Sequence, residues 1–201
     1  MKLDIEKDLL QSEIPTNKWL VKDDNKKIIR STSVNVADPA NLKPEEELIM
    51  QRLIDFTRYS QDPILNKEDG KDYLRPAVGL AAPQIGANLN MFFARFEYTE
   101  EGEEYAMINA KIIAKSEQIV ALEDGEGCLS VEVDREGIVP RAYKIIVEGY
   151  DYLTKKNVQL TLRQYRSIVF QHELEHNIGK LYYDHINNDD PWFIQKDWIL
   201  I

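Results

Sequence analysis

Near its C-terminal end the chain carries His172-Glu173-Leu174-Glu175-His176, and this pentad restricts the fold more tightly than any other stretch. On an α-helix, positions four apart differ by only about 40° around the axis and about 6 Å along it. The two imidazoles therefore stack on one face and can reach one metal ion, with Glu173 beside them to activate a water. Tyr165, Ile168 and Val169 continue the same side as an apolar stripe, so the histidines point inward. An inward pair of imidazoles costs free energy unless both are satisfied, and a metal satisfies both. The chain has only three histidines, and two of them fall here. The pattern predicts a helix over residues 162–178. Thr161 and Gln164 have the spacing of a capping box, and Gly179 stands where a helix commonly stops.

A catalytic site of this kind needs a third protein ligand and one open position. Zinc endopeptidases with this pentad take the third ligand from an extended H-E-x-x-H-x-x-G-x-x-H pattern or from a glutamate further downstream. The chain follows the first pattern through Gly179 and then has Tyr182 in place of histidine. His185 comes three residues too late and reads as a surface or supporting group. None of the 25 residues after His176 is glutamate. Cys128, the single cysteine, remains, within Glu126-Gly127-Cys128-Leu129-Ser130. One thiol cannot form an intrachain disulfide. It can serve as a small apolar residue, a nucleophile or a metal ligand. As a ligand it completes a Cys-His-His set, which suits zinc or iron. Gly127 beside it lets the backbone approach a substrate closely.

A third segment, Val78-Gly79-Leu80-Ala81-Ala82-Pro83-Gln84-Ile85-Gly86, is small and apolar with one polar side chain, Gln84. It reads either as a tight turn or as room for an extended ligand, with Gln84 able to donate to a developing oxyanion. It lacks the glycine spacing and G-K-S/T ending of a phosphate loop.

The remainder predicts an α+β domain with mixed or antiparallel sheets packed around the motif helix, plus an N-terminal helix. That first helix is expected over residues 44–60. Pro44 suits its first turn, Glu45, Glu46 and Glu47 face the positive end of its dipole, and Leu48, Ile49, Leu53, Ile54 and Phe56 supply an apolar face. Residues 61–76 read as a loop. Strands are expected at 91–96, 105–109, 112–122, 143–150 and 157–162, the last two joined by a hairpin loop over 151–156. We expect one catalytic domain over residues 1–201, with 1–25 a loose lead-in. The net charge of −10, from 25 basic and 35 acidic residues, disfavours nucleic acid as a general partner. The cluster Lys22, Lys26, Lys27 and Arg30 reads as a solvated segment. No run of about 18 apolar residues occurs, so no membrane span is expected. The charged N-terminus lacks the apolar core of a signal peptide, and a cytoplasmic location is expected.

Segments 77–84, 126–130 and 171–176, in this order, resemble the peptide deformylase family, which carries G-φ-G-φ-A-A-x-Q, E-G-C-L-S and Q-H-E-x-D-H. Val139-Pro140-Arg141 and Tyr182-Tyr183-Asp184 are similar to the family as well. The loop at 61–76 resembles the insertion of the form common in Gram-positive bacteria, often called type 2. The resemblance covers residues 26–201. It implies a metal-dependent amide hydrolase that removes the formyl group from the initiator methionine of nascent chains, releasing formate. It implies one divalent ion on Cys128, His172 and His176, with Fe2+ native and Zn2+, Ni2+ or Co2+ able to replace it. Glu173 would be the general base, and the Gln84 side chain and Leu129 N–H would receive the oxyanion. Substrate would lie along Val78, Gly79, Glu126 and Gly127, and helix phase places Ile168, Val169 and His172 as part of the lining of its methionine pocket. The implied partner is an N-formyl-methionyl chain end. A transient ribosome contact stays open, and neither a membrane nor sequence-specific nucleic acid is expected. Two positions depart from the family. Ala77 replaces the usual glycine, which would strain a backbone of positive φ. Glu175 replaces the usual aspartate, and its carboxylate is expected to pair with Arg141 in a shifted geometry. The residues themselves leave open a zinc peptidase, a thiol enzyme built on Cys128, and a binding module that has kept the fold.

Overall fold

The computed structural model describes residues 4–96 and 103–201. Two short helices, α1 (Ile5–Asp8) and α2 (Lys26–Ile29), precede the long helix α3 (Pro44–Ser60). Strands β1 (Gly79–Ala81), β2 (Met91–Phe96), β3 (Glu103–Lys115), β4 (Ile119–Ala121), β5 (Arg141–Ala142), β6 (Lys144–Asp151) and β7 (Lys156–Arg163) follow. Then come helix α4 (Gln164–His176) and a final strand β8 (Ile199–Leu200). This is the expected α+β arrangement. Among the described residues no helix is long and apolar enough to cross a membrane.

The larger sheet has the order β1-β2-β3-β6-β7 and is antiparallel throughout. β1 lies at its edge. A smaller sheet, β5-β4-β8, pairs β4 with β8 in parallel. Helix α3 starts where its sequence places it: Pro44 enters the first turn, and the Glu46 carboxylate accepts the Lys43 N–H at 2.9 Å. It buries Met50, Leu53, Ile54 and Phe56 against β1 and β2. Helix α4 packs on β1, β2, β5, β6 and β7. Its Phe170 ring meets Phe92 and Tyr105 edge-on, with centroids 5.1 and 5.3 Å away. Burying a ring of this size contributes about 1.5–3 kcal/mol. This packing seats the H-E-x-x-H motif on a well-anchored helix.

Three expectations are corrected. Helix α4 begins at Gln164 with no side-chain cap, because Thr161 is held in β7 opposite Ile146 and the chain turns at Gln164 with φ of 53°. The strands expected at 105–109 and 112–122 are instead the long β3, interrupted by register shifts, and the short β4. Asn109 sits at φ of 54° within β3, and its carboxamide bonds both the N–H and the C=O of Val36 at 2.8 Å. A bulge of this kind breaks the alternation that a strand shows in sequence. The described part of the lead-in, from residue 4 onward, is held rather than loose. The Leu10 and Gln11 N–H groups donate to the Asp55 carboxylate, and Trp19 packs on Phe56 at 6.4 Å.

The motif helix stops at His176, two residues short of the expected end, and Gly179 turns the chain just beyond it. Gly179 has φ of +71°, and a Cβ there would stand 2.6 Å from the Arg30 carbonyl carbon. The loop over 61–76 is stapled by Asn66, whose side chain bonds the Ser60 carbonyl and both backbone groups of Leu74. That staple fixes the approach of Arg75 to Ala77 into β1.

Candidate active site

Helix α4 presents His172 and His176 toward Cys128, which comes from the turn between β4 and β5. One ligand atom from each of the three lies within 4.8 Å of the others. The Cys128 Sγ is 3.3 Å from His176 Nε2. A tetrahedral ion with a sulfur ligand at about 2.3 Å and a nitrogen ligand at about 2.0–2.1 Å sets those two atoms about 3.5 Å apart. One further observation fits an ion. The buried Glu173 Oε2 has no hydrogen-bond partner among the described residues, which leaves it for a water beside the ligand atoms. Leaving such a group bare costs about 1–3 kcal/mol. The two histidines are shifted in opposite directions. Burial opposes protonation of His172, yet the Cys128 and Glu126 contacts outweigh it and raise its pKa. Burial and then the neighbouring His172 push His176 down, toward the neutral imidazole that binds metals.

The Glu126 side chain turns to the protein rather than to the pocket. Its Oε2 is 2.8 Å from His172 Nδ1, and Arg141 grips the same carboxylate through Nε at 2.8 Å and Nη2 at 2.9 Å. Burial alone would raise the Glu126 pKa, but Arg141 and His172 hold it at about 2. A carboxylate on the outer nitrogen of a metal-binding histidine fixes ring orientation and leaves Nε2 for the metal. Arg141 reaches on to Glu175 at 2.5 Å, and Glu175 in turn lies 2.8 Å from His185 Nε2. The longer arm of Glu175 thus keeps the pair with Arg141 and adds His185 as a second partner. Ala77 lies outside the positive-φ set and is packed at 4 % exposure in the core beside Leu74 and Leu80. Its methyl group is accommodated without backbone strain.

Glu173 is 3 % exposed, and burial pushes its pKa up to about 7. A carboxylate poised there can both take and return a proton near neutral pH. It packs so closely on β1 that a Cβ on Gly79 would stand 2.7 Å from Glu173 Cδ and 2.8 Å from Cγ. Glycine is therefore required at position 79 by close approach. Gly79→Ala is expected to displace the carboxylate and lower turnover about 100-fold, the usual cost of a misplacement near 1 Å, while bound metal is retained. Steady-state kinetics with a metal assay on the same sample checks this.

The Gln84 Oε1 accepts the Ala81 N–H at 2.8 Å, which turns Nε2 toward Cys128 Sγ, 3.5 Å away. These groups line one cleft of about 180 Å³ together with Val78, Gly127, Leu129, Ile168 and Val169. Arg75, Leu122 and Tyr165 line it too. Sequence reasoning assigned no site role to Arg75 or Leu122, which reach the cleft from loops outside the three motifs. The grip of Glu126 on His172 was also missed, since no spacing rule links residues 46 apart in the chain.

The chain is similar to known proteins. The polypeptide deformylase family model matches residues 18–192. A peptide deformylase of Levilactobacillus brevis is 39% identical over 190 residues, covering 91% of this chain and 99% of the relative. The protein named peptide deformylase 2 of Geobacillus stearothermophilus is 44% identical over 161 residues, covering 78% of this chain and 85% of its own. Among solved structures, the peptide deformylase of Thermus thermophilus superposes with a TM-score of 0.63 at 26% identity, over 85% of this chain and 86% of that one. The match across residues 18–192 and the near full-length relatives place this chain in the polypeptide deformylase family.

Proposed function

We propose that this chain hydrolyses the N-formyl group of formyl-methionyl chain ends with a single divalent ion held by Cys128, His172 and His176, ferrous iron being the native one. The convergence of these three ligand atoms within 4.8 Å, beside a buried Glu173, carries the reading. When bound, the ion supplies Lewis acidity and makes a water a stronger acid. The protein's groups do the rest. The chain end lies extended between Val78 and Gly79, where the chain enters the edge strand β1, and the turn at Glu126 and Gly127, bonded main chain to main chain. Its methionine side chain enters on Ile168, Val169 and the His172 ring. Glu173 takes a proton from the attacking water and returns it to the departing amine. Gln84 Nε2 and the Leu129 N–H donate to the oxygen that gains charge as the formyl carbonyl opens, and each such donor is worth about 2.7–4 kcal/mol of barrier. Formate and a free amino terminus result. A substrate that emerges from the ribosome places the enzyme in the cytoplasm.

A thiolate ligand beside ferrous iron is open to oxidation. Formate release from formyl-Met-Ala-Ser is therefore expected to be greatest for protein purified without oxygen and loaded with Fe2+, and to decay on exposure to air. Zn2+-loaded protein that is equally active and indifferent to air would contradict the iron assignment. No release with any of Fe2+, Zn2+, Ni2+ or Co2+ would contradict the function.

The methionine pocket makes a separate prediction. Ile168 is 2 % exposed and lines the cleft. Ile168→Lys places an ammonium where the thioether should sit. It should raise KM about 100-fold or more, since a buried unpaired charge costs several kcal/mol. Unchanged KM for formyl-Met peptides would remove Ile168 from the pocket.

A further inference from the structure

The lead-in segment at Val21 to Asp23 laces together the two loops that carry the oxyanion donors. The Val21 N–H donates to the Gln84 carbonyl at 2.8 Å. The Lys22 ammonium donates to the Leu129 carbonyl at 2.7 Å. Asp23 follows, accepting the Glu132 N–H at 3.2 Å and the Tyr183 hydroxyl at 3.3 Å.

The Lys22 contact has a particular electronic consequence. The Leu129 carbonyl and the Ser130 N–H belong to one amide group. That N–H points at the Cys128 sulfur, 3.4 Å away. A cation on the carbonyl oxygen draws electron density through the amide and makes its N–H a stronger donor, as linked hydrogen bonds polarise one another. A stronger donor on a thiolate withdraws density from it, and partners beyond the direct ligands tune a metal site in this way. The segment read from sequence as a solvated basic run thus sends one of its lysines to the back of the candidate metal site.

We infer that Lys22 is a positioning residue for Cys128, holding and polarising, through the amide between Leu129 and Ser130, the N–H that faces the sulfur. This rests on the reading of Cys128 as a metal ligand.

Cobalt-loaded protein tests it, because a thiolate bound to Co2+ gives a charge-transfer absorption in the near ultraviolet whose energy reports the electron richness of the sulfur. Lys22→Met keeps the side-chain length and removes the charge. Its band is expected to move to longer wavelength, since a sulfur less drawn upon gives up its electron more easily. Lys22→Arg, which restores a cationic donor, should bring the band back toward the wild-type position. Turnover of formyl-Met-Ala-Ser by Lys22→Met should fall about 10-fold, a typical effect of removing such an outer partner. KM should stay within about twofold, since the substrate is not touched. If Lys22→Met does not fold, Lys22→Gln takes its place, retaining a neutral donor for the Leu129 carbonyl, with a smaller shift expected in the same direction. A folded, cobalt-bearing Lys22→Met or Lys22→Gln with the wild-type band and kcat would overturn the inference. Absence of the band from cobalt-loaded wild type would overturn the ligand reading of Cys128 and the inference with it.

Discussion

Glu173→Gln is expected to bind metal as the wild type does and to lose formate release by about 10²–10⁴-fold, the usual worth of a general acid–base group. The substitution changes almost nothing in shape. Glu173 is outside the proposed ligand set of Cys128, His172 and His176, so its loss should remove no bond to the ion. It is wedged between helix α4 and Gly79, with no space to be replaced by a larger group. A carboxamide fills the same volume but cannot accept a proton from water. The burial that lifts the Glu173 pKa to about 7 is what gives the carboxylate affinity for that proton near neutrality. Formate assay with metal analysis of the same preparation decides the matter. Retained turnover within about tenfold would move the proton transfer to another group. Loss of metal along with activity would make Glu173 part of the ion's support rather than the base.

Arg141→Leu should have the largest effect on stability, about 3–5 kcal/mol, because it breaks a buried ion pair from one side. Arg141 is 2 % exposed and binds two carboxylates, Glu126 through two nitrogens and Glu175 through a third. Leucine leaves both carboxylates in the interior without their cation. Glu126 retains only His172, and Glu175 only His185, among the described residues. The urea midpoint of the metal-loaded protein should fall while the slope of the transition stays unchanged, the pattern of a pure stability loss. Metal affinity should fall as well, by about 10–100-fold, since Glu126 then orients His172 less firmly. A stability loss under about 1 kcal/mol would mean that water reaches the network and screens it.

How much of this was readable in the chain depends on the range of the interaction. Helix α3 was legible to the residue because Pro44, the glutamates of the first turn and the apolar face are all local signals. The motif helix was legible for the same reason to within two residues at its C-terminal end, where Gly179, required by its own φ and by Arg30, turns the chain just past His176. Its start was misread because Thr161 serves the sheet ladder, a partner that sequence does not show. The edge strand β1 did not read as a strand, only as a tight turn or as room for a ligand, because Gly79-Leu80-Ala81 is short and small. Its identity as a strand comes from pairing with Phe92, Phe93 and Ala94. The bulge at Asn109 is set by Val36, 73 residues away. Within the site, His172, Glu173 and His176 follow from helical spacing, whereas the pairing of Glu175 with Arg141 came only through resemblance to a family. Lys22 and Arg75 had no local signal at all. Each reaches the site from a loop whose position is decided by tertiary packing.

The central claim is that one ion sits on one sulfur and two imidazole nitrogens. X-ray absorption at the metal edge of iron- or zinc-loaded protein tests it most directly. We expect one sulfur at about 2.3 Å and two nitrogens of histidine character at about 2.0–2.1 Å, with an oxygen completing the shell. The sulfur should vanish from the shell in Cys128→Ser. A wild-type shell made only of nitrogen and oxygen would contradict the account, since Cys128 would then stand beside the ion without holding it.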